Sequence, residues 1–364
     1  AQCLVGSEMC IRDRMYSGGG DFTTNIDAYG GEGTAIFVAD AIEIYDVYKR
    51  KEENEHRKYF IERPCPFCGE REYRTWEKFH DRYGVARCRR CNSLYVNPCP
   101  VPELLSDYYN NYSCNEMLEE VYQKRAEKEN NAILDTRLDT IFEYIMKLER
   151  SKIRILEVGC SNGSFLSKLR KYIEKKQIQK EIEYIGVDTN ENAIDSNTDD
   201  KIKLVASTIE DFLGKTELKF DIIWHTELVE HIIDPFALFQ NLYSAMNHDS
   251  YMIFTTPNDF SLEMKSLSYN VPRVLACNIF PPMHLNAFST VNVSHFALRN
   301  NFCVEEITTP GFFDVEIFEM QKEFLKSDML KCIADKSEEE KEFLQKLISE
   351  AGASSHLQCV LSKN

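Results

Sequence analysis

From residue 152 onward the chain alternates between short β-rich runs and longer stretches whose apolar residues recur at helical spacing. The runs are Ile153–Val158, Glu183–Val187, Ile202–Val205, Phe220–Trp224 and Tyr251–Thr255. Alternation of this kind predicts βαβ units and a parallel sheet covered on both faces. A helix near Asn292–Asn300, a strand near Cys303–Thr308, helical segments over about 316–350 and a last strand Leu357–Ser362 would complete the region. Upstream, residues 102–150 read as helical, with Leu138, Ile141, Phe142, Ile145 and Met146 on one face. A further helix is expected over Thr34–Arg50, after glycine clusters at Gly18–Gly20 and Gly30–Gly33 that read as loop. No internal repeat or low-complexity segment is visible.

These patterns divide the chain into a tail (1–14), an N-terminal arm and linker without an assigned role (15–61), a cysteine-bearing module (62–100), a helical connector or lid (101–150) and a large α/β region (151–364). The tail, AQCLVGSEMCIRDR, lacks periodicity and resembles translated adapter read-through; the natural start is then expected near Met15, and the segment is set aside. A chain of 364 residues, 43% hydrophobic and 12% aromatic, can bury a large core. No apolar run approaches the roughly 18 residues of a membrane span, and residues 1–14 do not read as the basic start and apolar middle of a secretory signal. No membrane partner is expected, and the cytoplasm is the expected address. The net charge of −16 argues against a general nucleic-acid binder.

The segment ILEVGCSNGSFLSKL, Ile155–Leu169, reads as a buried strand, a tight turn at Gly159 and a helix starting at Gly163. Glycines there let backbone approach a ligand, and the first helical turn offers unpaired N–H groups. Taken alone the loop fits a dinucleotide site or a plain strand-to-helix connection. The spacing departs from G-x-G-x-x-G: it is Glu157-x-Gly159-x-x-x-Gly163, with Ser161 between. The next strand, YIGVDTN, ends in Asp188, 25 residues beyond Gly163, and LVASTIEDF (Leu204–Phe212) and FDIIWHTELVEHIIDP (Phe220–Pro235) follow in order.

On these motifs, over roughly residues 130–364, the chain resembles the class I S-adenosylmethionine methyltransferases. The resemblance implies an α/β, Rossmann-like fold with a mostly parallel seven-stranded sheet and helices on both faces. It places Glu157 near the methionine amino group and the Gly159–Gly163 backbone, Cys160 included, along the methionine part. Asp188, with Thr189 beside it, would hold the ribose. Thr208, Ile209 and Glu210 would border the adenine edge, and His225 would lie near the sulfonium end.

Ahead of that region stand two Cys-x-x-Cys pairs, Cys65/Cys68 and Cys88/Cys91, nineteen residues apart. Two such knuckles complete a tetrahedral Zn2+ site with no open position, which is a structural ion whose binding folds a small zinc-ribbon-like module. A redox dithiol fits two pairs poorly. Ten Lys/Arg against five Asp/Glu between Arg57 and Arg90 make the module basic. That keeps a phosphate-bearing acceptor, RNA included, open beside an ordinary solvated face.

Transfer to a hydroxyl, or to a carbon next to a ketone, also requires a base. Candidates belong at the carboxyl ends of the strands. His231 with Glu230 ranks first and His284, in PPMHLNAFS, second; a Glu-His pair there could instead only brace the following helix. The module, NPCPVPELLSDYY, PPMHLNAFS and TPGFFDVEI together resemble bacterial methyltransferases of surface-glycan and nucleotide-sugar pathways. They are also similar to sugar C-methyltransferases with an N-terminal zinc domain, whose large C-terminal domain this chain lacks. The expected acceptor is therefore a sugar, nucleotide sugar or glycan terminus, methylated on oxygen at least as readily as on carbon. Two alternatives stay open. One is a zinc-ribbon RNA methyltransferase, disfavoured by the charge and by HTELVEH where an Asn/Asp-Pro-Pro-Tyr signature would stand. The other is a non-catalytic cofactor-binding assembly protein.

Overall fold

The computed structural model describes residues 59–79, 83–105, 133–267, 278–279, 281–311 and 314–364. The expected helix Thr34–Arg50 and most of the first half of the 101–150 connector lie outside them; residues 102–105 and 133–147 are helical. Among the described residues no helix is long and apolar enough to cross a membrane.

The N-terminal part is a small antiparallel unit. Strands β1 (Phe60–Ile61) and β5 (Cys99–Pro100) pair, and β2 (Tyr73–Phe79), β3 (Tyr83–Cys88) and β4 (Leu94–Val96) form a three-stranded sheet. Its fully buried Val85, Leu94 and Val96 are too few to make a stable core alone, so the unit leans on the large domain. Phe67 stacks edge-on against Phe288 and Phe296, at ring centroid distances of 4.9 and 6.0 Å. Each wholly buried ring contributes about 1.5–3 kcal/mol. The cysteine-bearing unit thus shares one apolar cluster with the rest of the chain.

The large domain is built on seven strands: β6 (Lys152–Val158), β7 (Glu181–Asp188), β8 (Lys203–Ala206), β9 (Phe220–Thr226), β10 (Met246–Pro257), β11 (Cys303–Thr308) and β12 (His356–Lys363). They lie in the order β11-β12-β10-β9-β6-β7-β8. β12 runs antiparallel to both neighbours, and the other pairings are parallel. Successive strand residues face opposite sides. On one side Ile155, Ile222 and Trp224 pack against Leu138, Ile141 and Ile145 of the 133–147 helix and Leu166 of the helix Ser164–Lys176. On the other, Leu156, Ile223 and Phe254 meet Leu238, Phe239 and Leu242 of the helix Pro235–Ala245. The Rossmann-like sheet with helices on both faces is therefore present.

One expectation needs correction. The fifth run was expected only over Tyr251–Thr255, but β10 begins at Met246. Its start, MNHDS, is too polar to read as strand, and it pairs with β9 only at Met246 before a register break to Tyr251. The helical segments expected over about 316–350 are present as three helices, Asp314–Met320, Asp328–Ala334 and Glu338–Glu350. The last restarts at a capping box in which the Ser337 side chain accepts from Glu340 N–H and the Glu340 carboxylate accepts from Ser337 N–H.

Candidate active site

Where β6 ends, the backbone turns through Gly159 (φ 75°), Ser161 (φ 48°) and Gly163 (φ 73°), all left-handed. Gly163 is doubly constrained, because a Cβ there would stand 2.8 Å from Ile202 Cδ1. Asp188, at the end of β7, braces the turn: one carboxylate oxygen accepts from Ser161 N–H and the other from Asn190 N–H, each at 2.8 Å. Further lone pairs on both oxygens remain for a ligand diol. Thr189 is exposed beside it. The Cys160 side chain is buried, and its Sγ would lie 2.7 Å from a Cβ on Gly186, so Cys160 offers the loop its backbone.

Glu157 is buried, and its Oε2 accepts no hydrogen bond. Burial, then the nearby Asp188, pushes its pKa well above the usual carboxylate range. An orphaned carboxylate oxygen at this strand end is a seat for a ligand cation, and with the Asp188 cradle it fits the amino-acid and ribose ends of S-adenosylmethionine. Thr208 caps the helix Ile209–Lys215 by accepting from Asp211 N–H at 3.1 Å. Ile209 is buried and Glu210 exposed in that first turn, at the edge expected for adenine. His225 is fully buried, its ring stacked on Phe254 at 4.9 Å on the sheet face opposite Glu157. Burial drives its pKa down to about 3, so it is neutral.

A polar network unforeseen in the sequence covers the ends of β9, β10 and β12. Glu227, held at φ 47°, pairs with His356 at 3.3 Å and accepts from Thr255 Oγ1 at 2.9 Å. Thr255 Oγ1 also shares a 2.6 Å hydrogen bond with Thr226 Oγ1. Burial pushes Glu227 up, but His356 and Arg137 outweigh it and hold its pKa at about 2. The same pairing raises His356 against burial. Burial lowers the pKa of Arg137, from the 133–147 helix, with Glu227 and Glu157 offsetting part of it, and Arg137 lines a cavity with Thr255, Gly311, His356 and Gln358. Arg137 and His356 carried no motif, since their partners lie far away in the chain.

The expected catalytic residues do come together. Glu230 and His231 occupy a 3-10 turn after β9, with Glu230 Oε1 3.7 Å from His231 Nε2. The His284 ring meets His231 edge-on, centroids 4.7 Å apart. The loop bearing His284 is pinned there: Leu285 and Asn286 N–H donate to the Glu230 carbonyl at 2.7 and 3.2 Å. Burial, then His284, presses the His231 pKa down to about 3.

The four cysteines of the knuckles also converge, with Sγ atoms all within 4.8 Å of one another and the pairs Cys65–Cys91 and Cys68–Cys88 at 3.5 Å. Tetrahedral thiolates on Zn2+ stand about 3.8 Å apart. The cluster can therefore close on one ion with shifts of a few tenths of an ångström. Arg63 ties this unit to the rest by donating to the carbonyls of Ile233 and Leu285 at 2.5 and 2.9 Å.

Residues 125–305 match a family model described as a methyltransferase domain. Among solved structures, the chain is similar to a SAM-dependent methyltransferase from Archaeoglobus fulgidus, at 20% identity over 66% of this chain and 99% of that one, with a TM-score of 0.42. It is also similar to the plantazolicin methyltransferase BamL in complex with a triazolic desmethylPZN analog and SAH (16% identity, 71% and 94% covered, TM-score 0.46). A third is a SAM-dependent methyltransferase from Mesorhizobium loti (15% identity, 60% and 95% covered, TM-score 0.36). A comparison with curated proteins returns no match. Residues 125–305 are therefore a methyltransferase domain.

Proposed function

We propose that this methyltransferase acts on a hydroxyl of a small polyhydroxylated acceptor: a sugar, a nucleotide sugar or a glycan terminus. The observation that carries the reading is the polar lining beside Glu157. Thr226, Thr255, Glu227, His356 and Arg137 crowd the strand ends with donors and acceptors suited to several hydroxyl groups. S-adenosylmethionine, when bound, supplies an already activated methyl group. The protein's part is then to align the acceptor, exclude water and manage one proton. Glu157 and Asp188 hold the cofactor's cationic and ribose ends. The Glu230–His231 pair, with His284 behind it, stands where the acceptor's proton must go. Carbon methylation would use the same groups on a carbon acid.

A Zn2+ ion in the four-cysteine cluster serves as a structural clamp, since four thiolates leave no coordination position for substrate. Cysteines held reduced, without disulfides, for such an ion suit a reducing cytoplasm. Nucleic acid is not the expected partner of a chain with net charge −16, although its cysteine unit is basic. The test is incorporation of labelled methyl from the cofactor into nucleotide sugars, glycans and total RNA. Label in the sugar pools supports the reading; label confined to RNA overturns it. Tight cofactor binding without turnover on any pool would assign the protein an assembly role.

A further inference from the structure

We propose that Glu230, His231 and His284 together bind a divalent transition-metal ion, a second metal site of N/O chemistry beside the thiolate cluster. Each residue offers one ligand atom, and the three atoms lie within 4.8 Å of one another. Zn–N and Zn–O bonds are about 2.0–2.2 Å long, so two ligands on one ion stand about 3–4.4 Å apart. The Glu230–His231 separation of 3.7 Å is already in that range.

A second observation points to a missing cation. Glu230 is wholly buried; its Oε2 accepts from Thr256 Oγ1 at 2.8 Å, while Oε1, the oxygen facing His231, accepts no hydrogen bond. A buried carboxylate with one oxygen unsatisfied is costly, and a metal ion is the partner that removes the cost.

The scaffold is set before any ion arrives. Residues 231 and 284 are 53 positions apart in the chain. They are brought together by the hydrogen bonds from Leu285 and Asn286 to the Glu230 carbonyl, and by Asn286 Nδ2 donating to the Ile232 carbonyl at 2.7 Å. His231 also hydrogen-bonds the Met283 backbone, the outer support that orients metal-binding imidazoles. Two imidazoles and one carboxylate suit Zn2+, Fe2+, Co2+ or Ni2+. Three protein ligands leave positions open, unlike the saturated thiolates. An acceptor oxygen entering such a position would lose its proton more readily, as metal-bound water does. His231 would then act as a ligand in place of a base. That purpose rests on the hydroxyl-acceptor reading; the binding of the ion does not.

The experiment is titration of the metal-depleted full-length protein with Co2+, followed by absorption. Two equivalents are expected: one with intense near-ultraviolet thiolate charge transfer, and one with only weak visible bands. His284→Ala should abolish the second and leave the first, with unchanged affinity for S-adenosylhomocysteine showing that the variant is folded. A single equivalent of thiolate type, the same in wild type and His284→Ala, overturns the proposal. If the second equivalent binds but no sugar pool is methylated, the metal site stands and the acceptor reading falls.

Discussion

The four-cysteine cluster and the Glu230–His231–His284 cluster gather ligand atoms within the same span, yet the chain assembles them by opposite means. Each cysteine pair sits on a four-residue knuckle, so local backbone geometry aims the thiols, and only the meeting of two knuckles needs tertiary structure. Glu230 and His231 are neighbours, but nothing local brings His284 to them; hydrogen bonds between two loops do that. On the proposed reading the first cluster would be saturated by one ion and hold structure, while the second would keep coordination positions open. The contrast teaches that a cluster assembled from distant loops leans on a neighbour built from local devices. β4 contacts the His284 loop directly: Val96 N–H donates to the Leu285 carbonyl at 2.9 Å, Ala287 N–H to the Leu94 carbonyl at 3.1 Å, and Tyr95 bridges Asn286.

The largest expected effect breaks the structural half. Cys68→Ser should release the clamp ion and unfold its unit, exposing Phe67 and loosening the His284 loop. Structural zinc is worth about 10–16 kcal/mol of binding in small domains, so a melting temperature lowered by roughly 10 °C or more is expected, with turnover lost. Thermal unfolding and elemental analysis check this; metal content still near one thiolate-bound ion would refute it.

Breaking the other half should do the reverse. His231→Ala is expected to leave the fold and cofactor affinity intact while lowering turnover by about 10²–10⁴. Single-turnover kinetics with calorimetry decides, and an unaffected rate removes His231 from the reaction.

The link between the halves is sharper at Arg63, which reaches Ile233 just past the Glu-His pair and Leu285 just past His284. Arg63→Ala should cost about 1.5–3 kcal/mol, the range of hydrogen bonds from a charged group. It should lower turnover while zinc content holds. Stability loss with full turnover would mean that the cysteine unit braces the fold alone.

The smallest effect concerns the cofactor seat. Because burial raises the folded-state pKa of Glu157, folding favours its protonated form. Cofactor-free protein should therefore lose stability as pH rises above the ordinary carboxylate pKa of about 4.5. Glu157→Gln should flatten that slope while weakening S-adenosylmethionine binding by about 1–3 kcal/mol. Denaturant titrations across pH, and a slope unchanged in the variant, would dissociate Glu157 from this behaviour.

Much of the sheet was legible because its central strands β6, β9 and the later part of β10 are short apolar runs buried on both faces. β11, from Cys303 to Thr308, and the helix from Asn292 fall where periodicity places them. The polar opening of β10 was not legible, because its pairing depends on β9 and β12 and not on its own composition. The loop from Glu157 to Gly163 and the knuckles at Cys65 and Cys88 could be read because each is a local device of a few residues. Arg137, Glu227 and His356 could not be read as a set, since they come from a helix before the sheet, a turn after β9 and the start of β12.

The amino-acid order alone determined the alternation of strands and helices, the glycine-bearing turn from Gly159 to Gly163, and two thiol pairs at metal-binding spacing. Tertiary structure decided which distant groups meet. The antiparallel β12, placed between β10 and β11, sets His356 beside Glu227, and the pinned 281–286 loop sets His284 against His231. It also decided protonation and orientation, turning His225 into a buried neutral ring and leaving one oxygen of Glu230 without a hydrogen bond. The physical reason is range. Backbone sterics and ligand spacing act over a few residues, whereas desolvation and side-chain pairing depend on everything folded around a group.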